Sequence, residues 1–497
     1  MRQGALGLGK DPATGELQSV IQPVDPYGGL EQIRDLRTIE SIRDPRYRAK
    51  ADLLQFNLDV DITPTLSFTS QTAYNEDNTY SFQDYNRFKS LPVFTDSTAL
   101  IDGGTNTPSP YRNLIPGGIF CDPQIGCSDT IAGFDISQAK SKQFNQEFRL
   151  QSSFDGPFNF SAGVNYTRFK TLTDYYVMFN VLTATAWGAG FYPPFGQDWD
   201  PAVCQGSNTN NGGSTGSALP VPASDPQAMC PYVDPNPVDS IDGNGHNYFR
   251  SKNPYKLKST ALFGEAYWDI RDDLKLTAGF RYTEDRKTFT PVPSQVLLAR
   301  SLIGGGNVSA GYPEDAPIKQ KWGEWTGRIG LDWKPDVGFT DDTMLYAFYS
   351  RGYKGGGANP PSPDFATKEE FVANALADGV PQFLLDFYDA FNQIPVLELT
   401  GVEYGPTFEP EFVDAFEIGA KNSLLNGALT LNLTGFYYDY KDYQVSQIRD
   451  RTAVNENFDA KVWGLEFETV FAPTRNLRIN ANLGYLRTKI GKGETSI

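Results

Sequence analysis

Apolar and polar residues alternate with a period of two along several stretches of this chain. In residues 53–62 (LLQFNLDVDI), every even-numbered position from 54 is apolar and every odd-numbered position from 55 is polar. The same alternation recurs in FNFSAGVNYT (158–167), LKLTAGFRYT (274–283), ALTLNLT (428–434) and NLRINANLGY (476–485). Successive side chains of a strand point to opposite faces of a sheet, so each stretch predicts a β-strand with one apolar and one polar face.

The connections between these strands alternate between short and long. We predict about twelve long strands, which begin near residues 51, 65, 142, 158, 256, 274, 321, 342, 411, 428, 461 and 476. Tight turns join them in pairs at 62–65, 155–157, 271–273, 424–427 and 472–476, with a somewhat longer turn at 334–342. Much longer segments lie between the pairs, at roughly 88–141, 174–254, 290–320, 355–410 and 441–460. Short turns on one side and long loops on the other are typical of an antiparallel transmembrane β-barrel, so we predict an all-β fold of that class.

Aromatic residues are abundant, and their placement agrees with long strands. The chain has 34 Phe, 26 Tyr and 7 Trp, types that favour strands. Tyrosines gather near predicted strand ends, at 346–353 and 437–443, as in the aromatic girdles of membrane barrels. Ordinary sheet packing explains each cluster equally well, so the clusters count only together with the turn pattern. Residues 175–195 contain Asn180 and two adjacent prolines, which predicts an extended segment running into a loop rather than a membrane-spanning helix.

Charge and cysteine usage exclude some partners. The net charge of −17 argues against a nucleic-acid partner, which would need a basic face. Cys121 and Cys127 enclose DPQIG, and Cys204 and Cys230 bracket a stretch rich in Gly, Ser, Asn and Pro. We predict disulfides formed in an oxidising compartment rather than free thiols. With His246 as the single histidine, a zinc site of the Cys/His kind has too few ligands, so no metal site is predicted.

Two glycine-rich stretches look like phosphate loops but have the wrong context. GALGLGK (4–10) fits G-x-x-x-x-G-K, but Asp11 replaces the Ser or Thr that would bind magnesium. In SRGYKGGGANP (350–360), the glycines lead into ANPPSPD, which cannot continue as the helix that would hold an anion. We expect a strand to end at about Lys354 and the glycines at 355–357 to release the chain into a long loop, where positive φ costs glycine little.

No motif indicates an enzyme or a cofactor. The acids in VDPNPVDSIDGNGH (233–246) do not match the spacing of a calcium-binding loop, and a solvated loop is favoured. Acidic pairs such as Asp414 and Glu417 suggest a glycosidase only if two carboxyls face each other across a cleft, and no pair stands out. Residues 1–17 lack the apolar region of a signal peptide, so either the protein stays in the cytoplasm or its true N-terminus is missing.

Four stretches, in order along the chain, carry a resemblance to a known family. They are ALFGEAYWDIRDDLKLTAGFRYTEDRK (261–287), MLYAFYSRGYKGGGANP (344–360), FEPEFVDAFEIGAKNSLLNGALTLNLTGFYYDYKDYQV (408–445) and WGLEFETVFAPTRNLRINANLGYL (463–486). Within the third, Phe-Glu-Pro-Glu is followed by Glu417-Ile418-Gly419 and Lys421. In the fourth, Gly464-Leu465-Glu466 follows the first residue, and both motifs are similar to strand motifs of that family. From about residue 52 to 490, the chain resembles the barrel of TonB-dependent outer-membrane receptors.

The resemblance implies an active importer in the outer membrane of a Gram-negative bacterium. In that family roughly 22 strands form a barrel whose lumen holds an N-terminal plug. TonB, powered by the inner-membrane proton gradient, pulls on the plug and releases bound ligand. Iron–siderophore complexes are the commonest cargo, and cobalamin, haem and oligosaccharides are known alternatives. The implied partners are the TonB complex acting through the plug, a small-molecule ligand and outer-membrane lipid, and no bond is made or broken.

The chain departs from the family pattern at both ends. We find neither a plug nor a TonB box before the first strand, because residues 1–50 are polar and loop-like, and the closing strands are missing. We therefore expect residues 1–50 to be the remnant of an extracellular loop and residues 51–497 to be a partial barrel of about 12 of the roughly 22 strands. A gene fragment or a mis-called start is expected, unable to transport by itself, with open strand edges that favour aggregation.

Candidate ligand contacts lie where a strand enters its loop. Arg351, Tyr353 and Lys354 are near the outer end of one strand, where they would meet an anionic siderophore. A role in the lumen wall or against lipid headgroups is the favoured alternative.

The following loop carries a second set of candidates. Residues 366–392 are predicted to form two short helices with aromatic side chains at helical spacing, among them Phe383, Phe387 and Tyr388. These side chains are candidates for ligand contact, although packing of the helix onto the barrel rim is favoured.

Two functions from different classes therefore stand at this point. The first is a barrel fragment of a TonB-dependent transporter, with a ferric siderophore as the favoured cargo. The alternative is a non-transporting β-rich surface protein, either adhesin-like or glycan-binding. A chain that stays monomeric and soluble without detergent would exclude the first.

Overall fold

The structure, a computed structural model, places the long strands of the chain in one antiparallel sheet. It describes residues 7–22, 24–31, 33–86, 89–102, 104–122, 124–188, 249–291, 295–296, 316–359, 368–377, 382, 385–386, 405–449 and 452–491. The strands are β1 (Gly7–Lys10), β2 (Leu17–Ser19), β3 (Arg46–Thr63), β4 (Leu66–Asp84), β5 (Phe120–Asp122), β6 (Gly126–Ser128), β7 (Gly133–Ser152), β8 (Phe158–Phe179), β9 (Phe249–Arg271), β10 (Leu274–Phe289), β11 (Gln295–Val296), β12 (Ile318–Trp333), β13 (Asp342–Lys354), β14 (Gly357–Ala358), β15 (Thr407–Phe408), β16 (Glu411–Leu424), β17 (Leu429–Arg449), β18 (Thr452–Thr474) and β19 (Leu477–Ile490). The helices are α1 (Asn180–Gly188), α2 (Lys368–Ala377) and a 3-10 turn at Pro116–Gly118.

The long strands follow one another in space in the order in which they occur in the sequence. The sheet runs β3-β4-β7-β8-β9-β10-β12-β13-β16-β17-β18-β19, and β11 adds a short pairing to β9. Within the described residues, the edge strands β3 and β19 do not pair with each other. The pairs β1–β2, β5–β6 and β14–β15 form separate small sheets. The predicted all-β, antiparallel fold with about twelve long strands is confirmed.

Helical structure is minor in the described residues. None of their helices combines the length and the apolar character needed to cross a bilayer.

The strands begin where the sequence predicts at one end of the sheet and, except for β16, earlier at the other. At the end with the short turns, β4, β8, β10, β13, β17 and β19 start within one residue of the predicted positions. At the end with the long loops, β7 begins at Gly133 instead of near 142, and β18 begins at Thr452 instead of near 461. The long loop predicted at 441–460 is therefore wrong, because β17 and β18 continue as a hairpin through it. In these outer strand parts the row of apolar residues is interrupted, by Gln138 and Lys140 in β7 and by Glu456 in β18, so each run of alternation is too short to mark a strand.

The turn between β16 and β17 shows why its sequence ends a strand. Asn426 and Gly427 both have positive φ, 57° and 79°, a conformation that Asn and Gly tolerate better than other residues. The Gly427 N–H donates to Asp341 Oδ2 at 2.9 Å, which ties this turn to the neighbouring one.

One face of the sheet is apolar across its width. Register places Ile418 of β16 directly opposite Ala347 of β13 and Gly435 of β17. The apolar side chains on this face are widely exposed, at 66 % for Ile418 and 52 % for Leu465. We call this surface the apolar face; further exposed members are Phe56, Phe148, Val164, Leu262, Phe280, Ile329, Leu433 and Leu483. Soluble monomers rarely expose apolar patches beyond a few hundred Å², so this face needs an apolar environment.

The opposite face, which we call the polar face, is held together by hydrogen bonds between side chains. The Tyr346 hydroxyl donates to Glu417 Oε1 at 2.8 Å and lies 3.0 Å from Thr434 Oγ1. Glu265 accepts hydrogen bonds from the Tyr267 hydroxyl and from Arg328. Many charged side chains of this face are therefore paired with other side chains of the same sheet.

A small buried core lies beside the sheet at its long-loop end. The β1–β2 hairpin packs on the segment between β4 and β7, where Leu8, Phe94 and Phe120 are almost fully buried. Tyr111 belongs to the same core, and burial raises the pKa of its hydroxyl to about 12. The polar composition of residues 1–50 did not indicate this packing, and β3 already begins at Arg46. The domain division at residue 50 stays a prediction.

One of the two predicted cysteine pairs lies within the described residues. Cys121 of β5 and Cys127 of β6 are directly opposite each other in the hairpin and form a disulfide. Asp122 accepts hydrogen bonds from the N–H groups of Gln124 and Ile125, which fixes the turn between these strands. Cys204 and Cys230 lie outside the described residues.

Replacing Gly419 with alanine should destabilise the sheet. Gly419 lies directly opposite Tyr346, and a Cβ there would come 2.6 Å from three atoms of that aromatic side chain. Tyr346 would have to move and give up its bonds to Glu417 and Thr434, so we expect a loss of about 1–3 kcal/mol in the free energy of unfolding, measured by urea titration in detergent micelles.

Gly484 of β19 is the matched control for Gly419. A Cβ at Gly484 meets nothing within 4 Å, so Gly484→Ala should be neutral or stabilise by less than about 1 kcal/mol. Equal losses in the two variants would contradict the role given to the close approach of Tyr346.

Candidate functional site

A cavity of about 500 Å³ opens on the polar face at the long-loop end of the sheet. Side chains from β8, β9, β10, β12, β17 and β18 line it, and the segment 355–358 with Phe408 lies among them. Its polar lining includes Thr173, Asn253, Gln320, Lys354, Gln444 and Asn455. Strands far apart in the sheet meet here because the antiparallel pair β14–β15 bridges them. We call this pair the β14–β15 hairpin, although a long segment connects its two strands.

The room for this hairpin comes from a separation of two neighbouring strands. β12 pairs with β10 over its full length, from Ile318 to Trp333, but with β13 only from Gly327 to Trp333. Beyond Arg351, β13 therefore leaves β12 and keeps only its other neighbour, β16. The glycine segment that follows Lys354 turns onto the polar face at this opening.

The three glycines are required by close contacts rather than by their backbone angles. β13 ends at Lys354, as predicted. None of the three has a positive φ, so the expected use of positive φ at 355–357 is wrong. A Cβ at Gly356 would overlap the carbonyl oxygen of Phe408, and one at Gly357 would overlap the Phe408 ring. Side chains at these two positions would push the β14–β15 hairpin away from the wall.

Lys287 and Gln320 hold the glycine segment through hydrogen bonds to its backbone carbonyls. Lys287 Nζ donates to the carbonyl oxygens of Gly355 at 2.9 Å and Gly356 at 2.6 Å. The same ammonium lies over the Trp322 ring, 5.3 Å from its centroid. Gln320 Nε2 donates to the Gly357 carbonyl at 3.0 Å. Lys287 also lines the cavity, and its ammonium is engaged there by these two carbonyl oxygens.

Asn359 follows the glycine segment and connects it to β18 by hydrogen bonds to Asn455. This side chain is 2 % exposed. Its amide Nδ2 donates to the carbonyls of Gly405 at 2.9 Å and Asn455 at 3.0 Å, and its Oδ1 accepts from the Asn455 N–H at 2.8 Å. Gln444 adds a bond from Nε2 to the Glu409 carbonyl at 3.1 Å. The hairpin is therefore a fixed part of the cavity wall.

The structure separates the three candidate residues at the end of β13. Arg351 points to the apolar face, where Nη1 bonds both carboxylate oxygens of Asp414 at 3.0 and 3.1 Å and the guanidinium lies over Phe412. The Tyr353 hydroxyl donates to Asp285 at 3.2 Å. Lys354 lines the cavity, where Nζ lies 3.8 Å from Glu411. A ligand contact stays a prediction for all three.

The second set of candidates lies in the loop between β14 and β15. A helix predicted in residues 366–392 is present as α2, and Leu385 beyond it is buried. Phe383, Phe387 and Tyr388 lie outside the described residues, and their contact with ligand stays a prediction.

Sequence reasoning missed the groups that build the cavity. Lys287, Gln320 and Asn359 carry no motif, and each is an ordinary polar residue near the end of a strand. Only the register between strands shows their proximity, since it places Lys287 and Gln320 directly opposite each other on the polar face. Among the described residues, no group of three or more His, Cys, Asp or Glu side chains is placed to hold a metal ion.

Comparison with known proteins gives a family match and several similar folds. A family model described as "TonB dependent receptor-like, beta-barrel" matches residues 21–496. The chain is similar to the ferric yersiniabactin uptake receptor FyuA from Yersinia pestis, at 12% identity over 90% of this chain and 44% of that chain, with a TM-score of 0.49. It is also similar to the siderophore receptor PiuA from Acinetobacter baumannii, at 15% identity over 90% of this chain and 48% of that chain, with a TM-score of 0.45. A third similar structure is the copper transporter OprC, at 12% identity over 89% of this chain and 48% of that chain, with a TM-score of 0.47. The chain spans about half the length of these solved structures.

Proposed function

The chain belongs to the family of TonB-dependent receptor-like β-barrels, and from this premise we propose that it forms the wall of an outer-membrane receptor that takes up a small ligand with energy delivered through TonB. The observation that carries the proposal is the apolar face of the twelve-strand sheet. The family consists of transport receptors, so the protein binds and moves its ligand without changing its bonds.

The two faces of the sheet support a membrane orientation for this wall. Lipid tails suit the apolar face, where Ile418 and Leu465 are 66 % and 52 % exposed. Water in a lumen suits the polar face, where Tyr346, Glu417 and Thr434 bond one another. We assign the long-loop end to the outside of the Gram-negative cell and the short turns to the periplasm, as in membrane barrels generally.

The cavity at the long-loop end is the ligand site in this proposal. Its volume of about 500 Å³ falls in the usual range for small-molecule pockets. Backbone carbonyls, amides and hydroxyls line it, and Lys354 adds a cation that is only loosely paired, 3.8 Å from Glu411. An available cation suits an anionic ligand. We propose a ferric siderophore, the commonest cargo of the family.

The remaining partners follow from the family. TonB would act through a plug domain seated against the polar face of the wall, and outer-membrane lipid would cover the apolar face. Uptake of the complex that binds this receptor should then disappear when tonB is deleted in the cell that carries the gene. Uptake that continues unchanged would overturn the TonB part of the proposal.

Ligand binding is testable on the chain itself. The 497-residue chain, refolded in nonionic detergent, is titrated with ferric hydroxamate, ferric catecholate and ferric citrate complexes while quenching of tryptophan fluorescence is followed. We expect saturable binding of at least one class, weakened at least about tenfold by Lys354→Glu, because an anionic ligand would then meet a carboxylate.

Lys461→Glu is the matched control for this titration. Lys461 is exposed on β18, outside the cavity, so the same charge change there should alter the affinity less than about twofold. Binding of a neutral glycan with no binding of any ferric complex would overturn the siderophore proposal. An equal loss in both variants would exclude the cavity as the site.

A further inference from the structure

An excess of positive charge is concentrated on a small part of this acidic chain. The net charge is −17, yet β7, β8, β9, β10 and β12 carry exposed cations on the side of the apolar face. These cations lie near the middle of β7, β8 and β9 and near the long-loop ends of β10 and β12. Strand register places them in two rows, directly opposite one another from strand to strand. We call them the cation rows: the first is Arg168, Lys258, Arg286 and Lys321, and the second is Lys142, Lys170 and Lys256.

Such an arrangement is unfavourable unless an anion covers it. Neighbouring strands lie about 4.8 Å apart, and like charges directly opposite each other destabilise a sheet. Two carboxylates compensate part of the charge: Glu76 lies 3.0 Å from Lys142, and Glu284 lies 2.6 Å from Arg286 and 2.9 Å from Lys321. Seven cations face two carboxylates, an excess of five.

Among the described residues, the four central cations have no partner of opposite charge. Within the part of the chain that the structure describes, Arg168, Lys170, Lys256 and Lys258 form no ion pair. All four are exposed. The centre of the cation rows is therefore open to an external anion.

The position of the cation rows along the strands indicates which kind of anion covers them. Towards the short-turn end, the same strands carry Tyr166, Tyr282 and Trp325 on this face, with the rings of Tyr282 and Trp325 5.0 Å apart. Aromatic side chains of this kind mark the boundary of the hydrocarbon region. The cation rows begin two to four residues farther out, at about 3.3 Å per residue, which is the depth of lipid headgroups.

We propose that the cation rows bind the phosphate groups of anionic lipids in the leaflet at the long-loop end. Guanidinium and ammonium groups donate charge-assisted hydrogen bonds to phosphate oxygens, and basic residues next to an apolar surface attract anionic lipid. The acyl chains of the same lipid lie against Val164, Leu262 and Phe280 of the apolar face. This inference rests on the proposed function, because it requires the apolar face to lie in a membrane.

The site is confined to one half of the sheet. On the apolar side of β13–β18, Arg351 pairs with Asp414 at 3.0 Å and Lys441 with Asp459 at 3.2 Å, so these two cations are compensated. A lipid that recognises phosphate through several cations at once is therefore held at β7–β12. A soluble anion would gain nothing from the adjoining apolar surface, which is why we commit to a lipid.

Retention of lipid by the purified chain tests the proposal. The refolded chain is loaded in nonionic micelles with phosphatidylcholine, phosphatidylglycerol or bisphosphorylated lipid A, exchanged into lipid-free detergent, and examined by native mass spectrometry. We expect retention of lipid A above phosphatidylglycerol and little retention of phosphatidylcholine. The triple variant Lys142→Gln, Lys170→Gln, Lys256→Gln should retain at least about tenfold less lipid A.

A charge-matched variant controls for net charge and stability. Lys441→Gln, Lys461→Gln, Lys489→Gln removes three cations from the same side of β17–β19 and should leave retention within about twofold of the parent. Equal retention by both triple variants, or displacement of lipid A by millimolar inorganic phosphate alone, would overturn the proposal. A parent chain that inserts into vesicles but retains no anionic lipid defeats this inference only, whereas a chain that does not insert defeats the proposed function as well.

Discussion

Replacing Ile418 with arginine should lower the free energy of unfolding in a lipid bilayer by about 2–4 kcal/mol. Ile418 lies in β16 on the apolar face, directly between Ala347 and Gly435, and is 66 % exposed. If lipid covers this face, the guanidinium must enter the hydrocarbon or distort the bilayer around it. If water covers it, an exposed isoleucine changed to arginine costs almost nothing. The measurement is urea unfolding of the chain inserted in phosphatidylcholine vesicles, followed by tryptophan fluorescence.

Gln71→Arg provides the control on the other face. Gln71 lies in β4 on the polar face, directly opposite Asn57 and Glu147, and is exposed. An arginine there meets a carboxylate and water, so the expected change is within about 0.5 kcal/mol. Equal stability of the two variants, together with a parent chain that stays monomeric without detergent, would favour the non-transporting surface protein over the transporter wall.

Replacing Asn359 with alanine should release the β14–β15 hairpin from the wall. The buried side chain satisfies the Asn455 N–H and the carbonyls of Gly405 and Asn455. Leaving buried polar groups without partners costs about 1–3 kcal/mol each. We expect a local loss of about 2 kcal/mol or more, seen as roughly 30-fold faster hydrogen exchange of the Asn455 amide.

Asn482→Ala is the control for this hairpin variant. Asn482 is exposed on β19 and makes no side-chain hydrogen bond with the described residues, so its loss should leave exchange at Asn455 unchanged. The cavity is built partly by the hairpin, so Asn359→Ala should also weaken ligand binding. Unchanged exchange at Asn455 in the Asn359 variant would show that the hairpin is held by other contacts.

Local patterns in the sequence gave the architecture with few errors. Alternation gives each strand its two faces, and the short turns mark the starts of the strands that follow them to within one residue. The pattern failed at the outer ends of β7 and β18, since polar residues interrupt the apolar row there and the remaining alternation is too short to distinguish a strand from a loop. The hairpin through 441–460 was missed for the same reason.

The candidate site was predicted less well, because side chains near one another in sequence have different surroundings. Arg351 and Lys354 are three residues apart, yet they lie on opposite faces of β13. Arg351 is engaged by Asp414 from the next strand, and Lys354 faces the cavity. Their closeness in the sequence suggested that they bind one ligand together. Because successive side chains of a strand point to opposite faces, the two residues are on different sides of the sheet.

The sequence by itself determined the number of long strands, their two faces, the short turns and the family. These are local properties, because the alternation of apolar and polar residues and the choice of turn residues each depend on only a few neighbouring positions. Only the tertiary structure decided which groups meet at the long-loop end. Asn359 bonds Asn455, 96 residues away, and Lys287 bonds Gly355 and Gly356, nearly 70 residues away. Such contacts depend on the register between strands and on the separation of β12 from β13, and no single stretch of sequence contains either.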